Sequence, residues 1–169
     1  MQSIQTVSEN TIYVGASDRR LAKFENLFPI PRGVSYNAYV ILDEKTALLD
    51  TADASVGAQF LENVAAALDG RKLDYLIVDH MEPDHAAMIE AVLVNAKTLP
   101  MLKMYFPTDN AAIDDALVVK EGDTLDLGKH KLTFVMAPMV HWPEVMMTFD
   151  TTTGTLFSAD AFGTFGALE

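Results

Sequence analysis

Residues 73–85 read LDYLIVDHMEPDH, and the rest of the chain is best understood outward from this stretch. Leu73–Val78 is a nearly continuous apolar run, the pattern of a strand buried on both faces of a sheet. Directly after it, His80, Glu82, Asp84 and His85 crowd two imidazoles and two carboxylates into one short turn. Such groups repel one another or stay hydrated unless a cation neutralises them. Pro83 holds Glu82 in extended backbone and delays the start of a helix. In α/β folds, ligands bind beyond the carboxyl ends of the strands. The stretch therefore predicts a metal site at a strand end. The plainer alternative is a solvated acidic loop, although loops are seldom this dense in ligand types.

Upstream, Thr11–Ala16 and Val34–Leu42 read as strands. Asp43-Glu44-Lys45 reads as a turn, and Lys45–Asp50 closes a hairpin. Ser55–Leu68 has Val56, Phe60, Leu61, Val64 and Leu68 at helical spacing, with Gly70 to end it. Strand, helix and buried strand in that order predict a βαβ unit with a right-handed crossover. Downstream, Ala86–Val92 and Thr98–Phe106 read as short helices. From Gly122 the pattern is β again. A turn at Asp126–Gly128 precedes strands at Lys131–Ala137, Val145–Phe149 and Leu156–Asp160, and Asp150–Gly154 turns between the last two. The class is α/β.

Two further ligand types stand at strand ends: His141 in MAPMVHWPE (136–144) and Asp160 in TLFSAD (155–160). Alone, each reads equally as a hydrogen-bonded structural histidine and a turn-forming aspartate. A β-rich layer would bring both to the rim that carries His80–His85, where a carboxylate such as Asp160 can bridge two cations. A set of imidazoles and carboxylates with open positions suits iron, and zinc remains chemically open. His130 reads as an exposed hairpin residue, Phe162 and Phe165 as ordinary core aromatics, and the nine methionines mostly as core filler.

The bulk properties narrow the function. The chain has 169 residues, half of them hydrophobic, enough for one domain with a real core. Its net charge of −12, from 24 acids against 12 bases, is wrong for binding a phosphate backbone. No cysteine is present, which excludes disulfides, thiolate metal sites and cysteine nucleophiles, and which fits the cytoplasm. No apolar run approaches the roughly 20 residues that span a bilayer.

Taken together, the motifs at 80–85, 137–144 and 157–163 (FSADAFG) resemble those of the flavodiiron proteins. Supporting similarity lies at 26–29, 33–37 and 48–51. The resemblance implies an αββα metallo-β-lactamase-like sandwich. It implies that His80, Glu82 and His141 bind one iron, that Asp84 and His85 bind the other, and that Asp160 bridges them. Trp142 would lie near the FMN of a neighbouring subunit in a head-to-tail homodimer or tetramer. The substrate would be O2 or NO, with electrons from a rubredoxin-like or other small redox protein through FMN. Nucleic acid and membrane are not expected partners. The family continues past the position of Glu169 through one more histidine ligand and a flavodoxin-like domain. Residues 1–169 thus read as a partial diiron domain, incomplete at its C-terminus. The stretch between His85 and Met101 is also short for the family, which we read as residues missing near Val92–Asn95. A deleted central strand would leave backbone groups unpaired.

Two other readings stay open. One is a dinuclear zinc hydrolase of the same fold, against which Glu82 argues, because such enzymes normally hold histidine there. The other is a non-catalytic, truncated fragment.

Overall fold

The computed structural model describes residues 4–93 and 117–168. Its centre is a five-stranded sheet formed by β1 (Gln5–Ser8), β2 (Thr11–Tyr13), β7 (Tyr39–Leu42), β8 (Thr46–Leu49) and β9 (Tyr75–Ile77), in that spatial order. All neighbours are antiparallel except β8 and β9, which run parallel on either side of helix α1 (Gly57–Leu68). That is the predicted βαβ unit. The predicted helix start at Ser55 is instead a short 3₁₀ turn, Ala54–Val56, capped by the Asp53 carboxylate, which accepts from the Ser55 N–H.

Strands β7, β8 and β9 of the central sheet are buried on both faces, which explains their continuous apolar runs. On one face Val40, Leu48 and Leu76 pack with Phe60 and Val64 of α1. On the other, Ile41, Ala47, Leu49 and Ile77 meet Leu127, Leu132, Phe134 and Phe157. The alternation along β8 sends Leu48 to the helix and its neighbours Ala47 and Leu49 to the second sheet. That sheet is an antiparallel meander of β10 (Thr124–Asp126), β11 (Lys131–Met136), β12 (Met146–Asp150) and β13 (Thr155–Phe157). The layers described are therefore helix, sheet, sheet. Leu61, expected on the apolar face of α1, is exposed, whereas Asn63 faces inward and donates to the carbonyls of Val14 and Gly15.

Several predicted strands are interrupted. Val34–Leu42 breaks at Asn37-Ala38 into β6 (Val34–Tyr36) and β7, and Thr11–Ala16 breaks into β2 and β3 (Ala16–Asp18). β7 pairs with β2 and β6 with β3, with the Val14 N–H donating to the Ala38 carbonyl between the two ladders. This is one ribbon that changes direction at Gly15, where any Cβ would collide with the Tyr36 carbonyl and the Tyr13 ring. A short hairpin of β4 (Lys23–Phe24) and β5 (Phe28–Pro29) lies between β3 and β6 in sequence.

The stretch after β9 also differs from expectation. Glu82 is extended (φ −61°, ψ 145°), as Pro83 predicts, and the helical turn α2 (Pro83–Ala86) starts only after it, though ahead of the expected Ala86, because the missing N–H of Pro83 costs nothing at a first helical position. A second turn, α3 (Ile89–Leu93), follows. The helix predicted over Thr98–Phe106 and the second half of the short stretch near Val92–Asn95 lie outside the described residues. β13 stops at Phe157, short of the predicted Asp160, because Ala159 has a left-handed backbone (φ 47°) that ends the ladder. Among the described residues no helix is long and apolar enough to cross a membrane.

Candidate metal centre

Three separate loops at the carboxyl edge of the parallel pair supply the site. The β9–α2 loop and first helical turn hold His80, Glu82, Asp84 and His85. The β11–β12 loop holds His141, and the turn after β13 holds Asp160. Met139 (φ 67°), Ala159 (φ 47°) and Asp50 (φ 55°) adopt left-handed backbone in or beside these loops. Such non-glycine conformations cost on the order of 1–3 kcal/mol each and persist only where the surroundings enforce them.

All six predicted side chains converge. His80 Nε2 lies 3.1 Å from Glu82 Oε2, and His141 Nε2 lies 2.9 Å from the same oxygen. Asp160 Oδ2 faces this trio, 3.6 Å from His80 Nε2 and 3.4 Å from His141 Nε2. Its other oxygen, Oδ1, lies 2.8 Å from His85 Nε2, which is 3.8 Å from Asp84 Oδ2. The result is two donor groups, His80–Glu82–His141–Asp160 and Asp84–His85–Asp160, each with ligand atoms within 4.8 Å of one another. Asp160 belongs to both.

Burial makes the electrostatics severe. Desolvation, with the nearby charges of Asp160 and Glu82, pushes the Asp84 carboxyl up to about 6, although His85 pulls the other way. Burial disfavours the charged His85 imidazole, yet its contacts with Asp160 and Asp50 hold its pKa well above the ordinary value. Burial likewise opposes ionisation of Asp160, but the His85 hydrogen bond and three imidazoles keep its carboxyl low. Asp84 Oδ1 is buried and has no hydrogen-bond partner. An orphaned carboxylate oxygen among converging imidazoles is what a cation would satisfy, so the donor set fits a pair of metal ions.

Three carboxylates that sequence reading left without a role hold the site from behind. Asp50, at the end of β8, accepts from His85 Nδ1 (3.1 Å) and from the Asp79 N–H (2.7 Å). Asp79 accepts from the Thr148 hydroxyl, and burial next to Asp50 raises its carboxyl well above the carboxylate range. Glu144 accepts from His80 Nδ1 (2.8 Å). Burial opposes its charge, but backbone N–H groups and His80 keep its carboxyl low. A fourth acid, Glu25, at the tip of the β4–β5 hairpin, shares a hydrogen bond with Glu82, which raises its carboxyl. Asp50 and Asp79 were findable: both stand at the carboxyl ends of adjacent parallel strands, as the metal-binding stretch does. Glu144 lies inside a quoted motif, but nothing local distinguishes it from a surface acid.

A cleft of about 630 Å³ opens onto the site, lined by Leu21, Phe24, Glu25, Tyr36, Glu82 and Asp84 among others. Trp142 is half-buried, edge-on to His80 with ring centroids 5.5 Å apart. Phe162 is not a core aromatic: it is 89 % exposed, projecting from the turn that carries Asp160. Phe165 is also exposed and packs on Phe24 and Phe28. Of the three methionines near the site, Met81 is buried, Met136 half-buried and Met139 exposed. His130 is fully buried, not an exposed hairpin residue; it meets Asp150 at 2.8 Å.

Known proteins share this arrangement of sequence and fold. A family model described as ODP family beta lactamase matches residues 34–169. The chain is 37% identical over 171 residues to the anaerobic nitric oxide reductase flavorubredoxin of Aliivibrio salmonicida, covering 93% of this chain and 33% of that protein. It is 39% identical over 163 residues to putative diflavin flavoprotein A 1 of Thermosynechococcus vestitus, covering 93% of this chain and 28% of that one. Among solved structures, the rubredoxin oxygen:oxidoreductase of Desulfovibrio gigas matches with a TM-score of 0.90 at 32% identity, over 99% of this chain and 43% of its own. A flavoprotein from Thermotoga maritima matches with a TM-score of 0.85 at 29% identity, over 100% of this chain and 44% of its own. The chain spans about a third of the length of the curated relatives it matches.

Proposed function

Because this chain belongs to the ODP beta-lactamase family and resembles flavodiiron proteins over nearly its whole length, we propose that it forms part of a diiron centre that reduces O2 to water or NO to nitrous oxide. His80, Glu82 and His141 would hold one iron, Asp84 and His85 the other, and Asp160 would serve both. A further histidine would complete the second iron's ligands, as the resemblance implies. FMN would be held by a flavodoxin-like domain, and the protein works in the cytoplasm. FMN, itself reduced by a rubredoxin-like donor, would supply the electrons across a head-to-tail contact between subunits. Trp142 would lie beside that flavin.

Two adjacent ferrous ions would supply electrons and Lewis acidity to the bound diatomic. The chain's own groups do the rest. Glu82, Asp84 and Asp160 provide the negative charge that makes such a pair favourable in a buried site. Asp50 and Glu144 fix which imidazole nitrogen faces inward. Leu21, Phe24 and Tyr36 shape the approach and limit water. Arg20 also lines the cleft and neutralises Asp18, which leaves Asp53, Glu25, Glu82 and Asp84 to make its lining net acidic, a field that opposes anions but not a neutral diatomic.

The observation that supports this most is the divided carboxylate of Asp160, one oxygen toward each donor group. The test is metal analysis and turnover of the complete natural polypeptide, purified without oxygen. Two irons per chain, with NO or O2 consumption driven by reduced rubredoxin, is the expected result. Stoichiometric zinc with esterase or thioesterase activity would establish the hydrolase reading instead. That reading is disfavoured by Glu82, which brings a carboxylate where such enzymes normally have an imidazole.

A further inference from the structure

We propose that Glu144 is the positioning residue of His80, and that through it the β11–β12 loop fixes both imidazoles of the first donor group together. This rests on the metal-centre reading above and adds a role for a side chain outside the six ligands. Glu144 Oε1 lies 2.8 Å from His80 Nδ1 and 3.1 Å from the Met81 N–H. The Glu144 side chain is only 9% exposed, and that of His80 is fully buried. The Met81 N–H also lies 3.1 Å from His80 Nδ1, so this one donor has two possible acceptors. A carboxylate only accepts. Its shorter contact therefore puts the proton on His80 Nδ1 and assigns the Met81 N–H to Glu144. Nε2 is left with its lone pair pointing toward Glu82 and Asp160.

The geometry ties this to His141. Glu144 stands three residues after His141 in the same loop, whose far end is pinned by the Met146 N–H donating to the Asp79 carbonyl (3.0 Å). Asp79 directly precedes His80. Trp142, between the two, packs edge-on to the His80 ring. One loop thus supplies a ligand from the front and clamps another from behind. His85 has its own acceptor, Asp50, on a different element. Each half of the site thus has its own acceptor behind an imidazole, and loss of Glu144 should act mainly on the first.

The test uses the complete natural polypeptide, stripped of metal and reloaded with Co(II). In NMR spectra, an imidazole bound through Nε2 shows its Nδ1–H as a strongly shifted signal, sharp only when a buried acceptor slows its exchange. In the unmodified protein the His80 signal, identified through its proximity to the Met81 amide, is sharp, as is that of His85. In Glu144→Ala the His80 signal broadens into solvent exchange while that of His85 persists, and one of the two metals is lost to a chelator at least about tenfold more readily. Glu144→Gln, whose amide oxygen still accepts, keeps the sharp signal and shows a smaller loss. The persistent His85 signal certifies folding. A sharp His80 signal and unchanged retention in Glu144→Ala would overturn the inference and leave the metal-centre reading intact. Failure of the unmodified protein to bind Co(II) would overturn both.

Discussion

His85 and Asp160 stand 75 residues apart in sequence, on a helical turn and on a turn beyond the last strand, and meet with Nε2 and Oδ1 at 2.8 Å. That contact joins the two donor groups, because the second oxygen of Asp160 faces His80 and His141. The chain's chemistry is organised around this one carboxylate.

Replacing it should uncouple the pair. Asp160→Asn keeps the shape but halves the acceptor capacity and removes the charge between three imidazoles. We expect most of the iron to be lost on dialysis, with the melting temperature of the metal-free protein changed little. Elemental analysis beside calorimetry decides it; full retention of two irons would show that the bridge is dispensable.

Asp84 predicts a conflict between metal binding and stability. Its carboxyl is raised from 3.8 to about 6, mainly by desolvation. A raised carboxylate costs the folded state nothing below its ordinary range. The cost grows as pH rises through about 4 to 6 and is complete above, at roughly 3 kcal/mol. Asp84→Asn should therefore stabilise the metal-free protein by about 1–3 kcal/mol near pH 7 and not near pH 4, while weakening metal retention. Denaturant titrations at the two pH values measure the difference. A variant less stable than the parent near pH 7 would contradict this account.

The buried His130–Asp150 pair predicts the opposite slope. Burial opposes the Asp150 charge, but the Thr153 hydroxyl, His130 and the Thr152 N–H keep its carboxyl below the ordinary range. A depressed carboxyl contributes stability that is present above the ordinary range and lost as pH falls through its folded value. Asp150→Ala should cost roughly 3 kcal/mol near pH 7, because it strands a buried imidazole, and flatten the acid limb of the stability curve. Urea midpoints from about pH 7 down to about pH 3 would show it, and metal content should not move.

Asp50 should matter to one half of the site. Asp50→Leu removes the acceptor for His85 Nδ1 and for the Asp79 N–H together. We expect about a tenfold faster loss of one metal and a destabilisation of roughly 1–3 kcal/mol from the stranded Asp79 N–H. Metal release kinetics and thermal melts would check both. Equal loss of both metals would mean that Asp50 does not act chiefly through His85.

The elements that sequence reading placed well are those whose cause is local. The apolar run at 73–78 had to be buried, the helical spacing over 55–68 had to face a core, and the ligand-dense turn at 80–85 had to meet a cation or water. The breaks were not visible, because each depends on a partner. Val34–Leu42 splits where Gly15, in the break between β2 and β3, comes too close to Tyr36 for any side chain. The last strand ends early because Ala159 turns the chain so that Asp160 can reach His85. His130 and Phe162 exchanged their expected environments for the same reason: burial depends on which layer covers a residue.

The sequence by itself determined the ligand types, their order along the chain and the α/β alternation that puts them at strand ends, since these follow from side-chain chemistry and periodicity. Only the tertiary structure decided that Asp160 divides its oxygens between two groups, and that Asp50 and Glu144 stand behind His85 and His80. Those relations are distances of a few ångströms between residues tens of positions apart. Packing two sheets and a helix around one core fixes such distances, and no local pattern encodes them.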